Sequence, residues 1–437
     1  MVADASESER AQRIAALSDR LVSAQRPLRV LDAVYWNDQV EAAFFAAGAR
    51  EQPPVDAAYY AGRPLRFEPS ERRATLDALI ADIEAQLGRY DPAAVVLTRQ
   101  ALEYASVIEM LEARGTPAFG ARSAALYGAA TEHIAPGVPS LAEVARSLTE
   151  TLGRLDARAK LPEAAPPMSA TDAAAVLQAR FDEAFGPVVE TGGSRVHVTA
   201  DGELVADAAA GGDHVRVRAG ATFDERTVRL LEVPEGWVHV GTTQNGARQR
   251  PCAFLGKGPP SATLTQEGLA VFTEVLTMAS FPARVRRVDD RVRAIAAAEQ
   301  GATFLDVFRM LRDADGDERG AYATAARTFR GSVPTGKPFT KDLAYVKGFV
   351  ETYAYVQSAI RRGVPQRVHL LFAGKVALRD ANELAELFDD GLIEPPAFVP
   401  PPFRDLSALS AWMCFSGMLS SDWLHTLGHR YSQPPPP

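Results

Sequence analysis

Apolar residues recur every three to four positions through the first third of the chain, the spacing of amphipathic helices. Ile14, Leu17 and Leu21 share one face, and Ser6 with Glu9 three residues on has the form of a capping box that would start that helix. Leu76, Leu79, Ile80, Ile83 and Leu87 repeat the stripe, which stops at Gly88. Between them RVLDAVYWN mixes both periods and fits either a helix or an irregular segment. A third helix is predicted from Ser140, with Glu143 as the return arm of its cap, through Val144, Leu148 and Leu152.

The stripe breaks at KLPEAAPPMS, residues 160–169, where each residue before a proline is pushed toward extended backbone. This divides the chain into an N-terminal helical region, 1–159, a linker, 160–169, and a second domain, 170–430. That domain should open with a helix ending near Gly186. The period then changes to two in RVHVTADGELVADAA and HVRVRAG, predicting short antiparallel strands turned by Asp201-Gly202. Helices over 262–279 and 284–312 should follow, then EPPAFVPPPF as an irregular surface cover. The tail 431–437, ending in four prolines, should be disordered. The expected fold class is therefore α+β, a helical region packed on a domain with a small antiparallel sheet.

Composition narrows the function. With 437 residues, 47% hydrophobic and 23% charged, the chain is globular. Its 47 Lys+Arg against 55 Asp+Glu leave a net charge of -8, which argues against nucleic acid or an anionic membrane surface as partner. Two cysteines, Cys252 and Cys414, are too few for a disulfide framework and fit a reducing compartment. MVADASESERAQ lacks the features of a signal peptide, and no apolar run reaches the roughly 18 to 20 residues of a membrane helix, so a cytoplasmic protein is expected.

The chemistry-bearing stretch is 224–275. Glu235 and His239 lie four apart and would face one way on a helix, and Glu267 would follow a Thr265 N-cap in the first turn of the next. On spacing alone these are ordinary: an i, i+4 pair on an amphipathic helix is commonly a surface arrangement. A first-turn carboxylate commonly complements the helix dipole.

The string Thr265-Gln266-Glu267-Gly268-Leu269-Ala270, preceded by Glu235-Gly236-Trp237-Val238-His239 and Asn245-Gly246, resembles the QEGLA-motif proteins. These are named in bacteria for an effect on flavohaemoglobin expression, and they are related to the microtubule-associated tyrosine carboxypeptidases. The similarity runs from about residue 20 to about 425, taking in ARGTPAFG, FRGSVP, FTKDLAYVKGF and AWMC. The resemblance implies a zincin-like metallocarboxypeptidase domain, a hydrolase that releases a C-terminal amino acid from a peptide or small amide with a free carboxylate. In that family a His-Glu-x-x-x-His helix and the QEGLA glutamate hold zinc, Zn2+. Carried over by position, His239 is the second histidine, Glu267 the third ligand and Glu235 the general base on the metal-bound water. A carboxypeptidase also needs a cation for the terminal carboxylate. Arg330 and Lys341 are the candidates, with Tyr345 as donor to the developing oxyanion, against the reading of both cations as solvated surface charges.

The first histidine position holds Pro234. Proline has no ligating atom, so His239 and Glu267 would form a two-ligand site where catalytic zinc usually takes three protein ligands and water. Proline inside a helix also costs about 3 kcal/mol, so the helix from Asp224 should bend or restart near Val233. Several accounts remain open: a disabled hydrolase, a non-catalytic pseudoenzyme that binds peptides or regulates, a substitute ligand in His214 or Glu232, and a histidine codon changed at one base. Elsewhere, Lys257-Gly258-Pro259-Pro260 lacks the phosphate-loop arrangement and reads as a turn. The two thiols read as buried and inert, and His425 with His429 as a helix-end pair.

Overall fold

The computed structural model describes residues 2–158, 166–202 and 208–419. The tail 431–437, His425, His429 and most of the 160–169 linker lie outside the described residues.

Helix Val2–Gln25 buries Ile14, Leu17 and Leu21 against Leu76, Leu79 and Ile83 of Pro69–Leu87 and against Val96 and Leu97 of Pro92–Glu112. Each fully buried aliphatic side chain contributes roughly 1.5–3 kcal/mol. Gly88, at φ +78, ends the second helix, and Asp91 caps the third by accepting from the amides of Ala93 and Ala94. The Ser6/Glu9 box is not a cap, because the helix already begins at Val2; Glu9 instead pairs with Arg13 one turn on. The ambiguous RVLDAVYWN holds a short helix, Val30–Val34. The Ser140/Glu143 box is made in both directions: the Ser140 amide donates to Glu143 at 2.7 Å, and the Glu143 amide to the Ser140 hydroxyl at 3.3 Å.

The N-terminal helices share their cores with the rest of the chain. Leu17 and Leu97 pack in one cluster with Phe254, Leu255, Leu384 and Leu387, and Trp36, Phe44 and Tyr60 pack with Phe304, Phe308 and Phe329.

Among the described residues five strands are formed: β1 Met168–Ser169, β2 His197–Asp201, β3 Ala208–Ala210, β4 His214–Arg218 and β5 Thr222–Phe223. β1 and β5 pair antiparallel, whereas the larger sheet has the order β2-β4-β3, with β2 parallel to β4 and β3 antiparallel. The expected all-antiparallel sheet turned at Asp201-Gly202 is thus corrected to a mixed one. Only β4 buries branched residues completely, Val215 and Val217, so it takes the centre. The tight turn is between β3 and β4, where the Gly211 amide donates to the His214 carbonyl.

Two helix ends also differ from expectation. Ala170–Glu190 runs past Gly186 and through Pro187, because Val188 beyond it is buried with Phe181 and Phe185 against β4. The 284–312 helix is two, Pro282–Glu299 and Phe304–Asp315, parted at Gly301 (φ +104) and restarted by a Thr303/Asp306 capping box. EPPAFVPPPF is mostly irregular, but Phe398 and Phe403 plug the core rather than cover it. No helix among the described residues is long and apolar enough to cross a membrane.

Candidate functional site

Asp224 caps Glu225–Leu231 by accepting from the Thr227 amide at 2.7 Å. The helix neither stops nor restarts at Val233. It widens into a π turn over Glu232–Val240 and continues as Gly241–Arg248. Pro234 supplies the reason: its ring would strike the carbonyl four residues back and it cannot donate to it, whereas a wider turn moves that carbonyl away.

The QEGLA string lies inside Pro260–Leu276, so Thr265 is no N-cap and Glu267 is two turns in rather than in the first. The helix starts earlier because Pro260 is suited to a first turn and Glu103, from another helix, accepts from the Ser261 amide at 2.6 Å. Each letter of the motif has a task. Gln266 accepts from Thr242 at 2.7 Å and from Lys375 at 3.0 Å, tying the motif helix to the π turn. Gly268 meets Gly348 of Ala344–Arg361 so closely that a Cβ would stand 2.0 Å from the Gly348 carbonyl carbon. Leu269 and Ala270 are buried in the core beneath. Upstream, the Asn245 amide nitrogen donates to the carbonyls of Phe372 and Phe398, and its oxygen accepts from the Phe398 amide.

Glu267 is then held facing the π turn. His239 Nε2 lies 3.7 Å from Glu267 Oε2, and Lys341 Nζ lies 3.7 Å from Glu267 Oε1. Burial works against the charge on Glu267, but Lys341 and His239 override it and hold the carboxyl below its ordinary value. Burial pushes the His239 imidazole down to about 4, aided by Lys375 and Lys341, so it is neutral at pH 7. Glu235 is pushed up to about 7, first by burial and then by the charge of Glu267. Lys375, pushed down to about 7 by burial against the pull of Glu267 and Glu235, donates to the His239 carbonyl at 2.9 Å and clips the π turn in place.

Beside Glu267 stands a cluster of cations. Asp342 accepts two hydrogen bonds from Arg327, at 2.6 and 2.9 Å, and lies 3.8 Å from Arg291. Arg291 and Arg284 flank the Tyr345 ring, with guanidinium carbons 4.6 and 5.7 Å from its centroid. Arg284 is spent on a bidentate pair with buried Glu274. Arg330 is pushed down to about 10 by burial and then by Arg327. Arg330 Nε and Arg291 Nη1 are buried without a hydrogen-bond partner. Arg330 and Lys341 are therefore not solvated surface charges. Both are set into the protein, with the Lys341 side chain only 13% exposed.

The donors do not fit a three-ligand zinc site. Position 234 offers only a proline ring, and Glu267 is already neutralised by Lys341. His214 points from the exposed face of β4 and lies beside Asp213, and Glu232 is engaged by Arg180 and Arg229, so neither is free to serve as the substitute ligand. Among the described residues no group of three or more His, Cys, Asp or Glu is arranged to hold a metal ion.

Sequence reasoning missed Lys375, Arg291, Arg327 and Asp342. Charged residues on a helix carry no local signal of burial, and nothing in FAGKVA marks a buried lysine. Cys252 is buried, its thiol pushed up to about 12 by burial, whereas Cys414 is exposed, contrary to the expectation of two buried thiols. It lies on the outer face of Leu406–Leu419 beside exposed Trp412 and Phe415.

No curated protein sequence matches the chain at a significant level. The pattern of one family, described as microtubule-associated tyrosine carboxypeptidase, matches residues 42–421, and that span includes the π turn, the QEGLA helix and the cation cluster. Covering most of its length, the match shows that the chain belongs to the microtubule-associated tyrosine carboxypeptidase family.

Proposed function

We propose that this chain captures peptides by their C-terminal carboxylate at the cations beside Glu267, and that Pro234 has removed zinc-dependent hydrolysis from it. Membership of a carboxypeptidase family supports a peptide as the ligand class. The observation that carries the reading is the cation surplus: Arg291 Nη1, beside the Tyr345 ring, and Arg330 Nε, beside the Phe339 ring, are buried without a hydrogen-bond partner. A carboxylate brought there would accept from both, and the water-poor surroundings strengthen such charge-assisted bonds. Glu267, neutralised by Lys341 and facing a neutral imidazole, needs no metal to stay charged.

A second reading, release of the C-terminal residue by hydrolysis, is favoured by the retention of Glu235. Its carboxyl near 7 suits a general base at neutral pH.

Elemental analysis and peptide titration of the purified chain separate the two. A peptide ending in tyrosine is the first probe, because the family is named for that residue. The expected result is binding of the free acid, loss of binding on C-terminal amidation or Arg330→Gln, and no stoichiometric zinc. Stoichiometric zinc with release of the terminal residue by the unaltered chain would overturn the proposal. Pro234→His should gain zinc and hydrolysis, both needing the restored imidazole, and Glu235→Gln in that background should abolish the hydrolysis alone.

A further inference from the structure

A concave site away from the Glu267 cluster carries a charge imbalance of its own. A cavity of about 300 Å³ is lined by Arg29, Arg63, Arg66 and Arg114, with Tyr35 and Phe67 among its apolar walls. Asp32 is the only carboxylate lining it, and it lies 3.8 Å from Arg29, too far for a good hydrogen bond. Arg66 makes no ion pair with any described residue. Arg63 rests 4.1 Å over the Tyr59 ring and donates to the Tyr59 hydroxyl, a neutral partner. Lys257 is held below the usual lysine range by burial and then by the like charges of Arg29 and Arg26, so the Arg29 charge is not neutralised by its surroundings.

The cavity is built rather than incidental. Arg114 spends its guanidinium on the carbonyls of Leu111 at 2.9 Å, Ala33 at 2.6 Å and Arg63 at 3.3 Å. It thereby fixes the Val30–Val34 helix and the 63–67 segment to the same point, with its own charge unmatched. In a chain of net charge -8, that many cations against one carboxylate repel each other and focus a positive field into a concave pocket. A volume near 300 Å³ lies at the lower end of small-molecule sites, too small for a folded partner or a duplex. Tyr35, 45% exposed, and Phe67 supply the apolar surface such sites use to hold the body of a ligand. Several guanidinium forks match a dianion with three acceptor oxygens better than a carboxylate with two.

We infer that this cavity binds a small organic phosphate, its phosphoryl oxygens facing Arg29, Arg63 and Arg66 and its apolar body lying on Tyr35 and Phe67. The cavity shares no lining residue with the Glu267 cluster, and neither reading depends on the other.

The test uses the full chain at fixed ionic strength, titrated calorimetrically with phenyl phosphate and, in parallel, with benzoate. Saturable binding of phenyl phosphate is expected, with benzoate weaker by on the order of tenfold or more. Arg29→Gln with Arg66→Gln should weaken phenyl phosphate by a similar factor. Both side chains are exposed, so the melting temperature of the unliganded double variant should stay at the wild-type value; if it falls, Arg66→Gln alone provides the comparison. Peptide binding at Arg330 should be the same in wild type and variant. Equal affinity for benzoate and phenyl phosphate, equal affinity in wild type and the glutamine variants, or no saturation by about 10 mM ligand would overturn the inference.

Discussion

Replacing Asp342 by asparagine removes the carboxylate that draws Arg327 and Arg291 together. The residue is 4% exposed and takes both hydrogen bonds from Arg327, while Arg291 stands 3.8 Å away. The variant leaves these cations buried without their counter-charge, a change that typically costs about 3–5 kcal/mol. The Arg327 side chain is 31% exposed, so water recovers part of the loss. A value near the lower end, about 3 kcal/mol, follows. Urea unfolding followed by tryptophan fluorescence would read it as a lower midpoint at unchanged slope. The pH dependence is a second check. Burial alone would raise the Asp342 carboxyl, but Arg327 and Arg291 hold it far below its ordinary value. The unfolded state therefore binds the proton first, so the stability that this group contributes is present above about pH 4 and is lost as pH falls below it. The gap between wild type and Asp342→Asn should be widest near neutrality and narrow progressively below about pH 4. A loss under about 1 kcal/mol, or a gap that does not change between pH 7 and pH 3, would refute the reasoning.

Other expectations follow from single contacts. Gly268→Ala drives a methyl into the Gly348 backbone, which cannot rotate aside; it should cost about 3 kcal/mol or more, seen as a lower melting temperature or loss of soluble chain. Asn245→Ala strands the carbonyls of Phe372 and Phe398 and should cost roughly 2–4 kcal/mol in the same urea assay. With a thiol reagent, native chain should react at Cys414 and not at Cys252, and denatured chain at both; fast native reaction at Cys252 would contradict its burial. Amidating a peptide ligand should matter at Arg330 and have no effect at Arg29 or Arg66, which a cross-comparison of the two titrations reads directly.

Much of the helical frame was legible in the sequence, because a stripe such as Ile14, Leu17, Leu21 can be buried in only one way and Gly88 has no Cβ to oppose its left-handed turn. The Ser140/Glu143 cap was legible for the same local reason. Also readable were the QEGLA string and the proline at the position where the resemblance implies a histidine, since both are matters of residue identity alone. The strand order was not, since period two says which residues face inward and nothing about which strand lies beside which. Packing overruled local signals at Pro187, where Val188 keeps the helix going, and at Pro234, where the chain widens into a π turn instead of breaking. The candidate site itself was half visible. His239 and Glu267 could be placed by motif, but Lys375, Arg291, Arg327 and Asp342 come from distant segments and read as ordinary surface charges. Whether a charged side chain is solvated or buried beside its neighbours is set by what the fold stacks over it, and only the tertiary structure decides that.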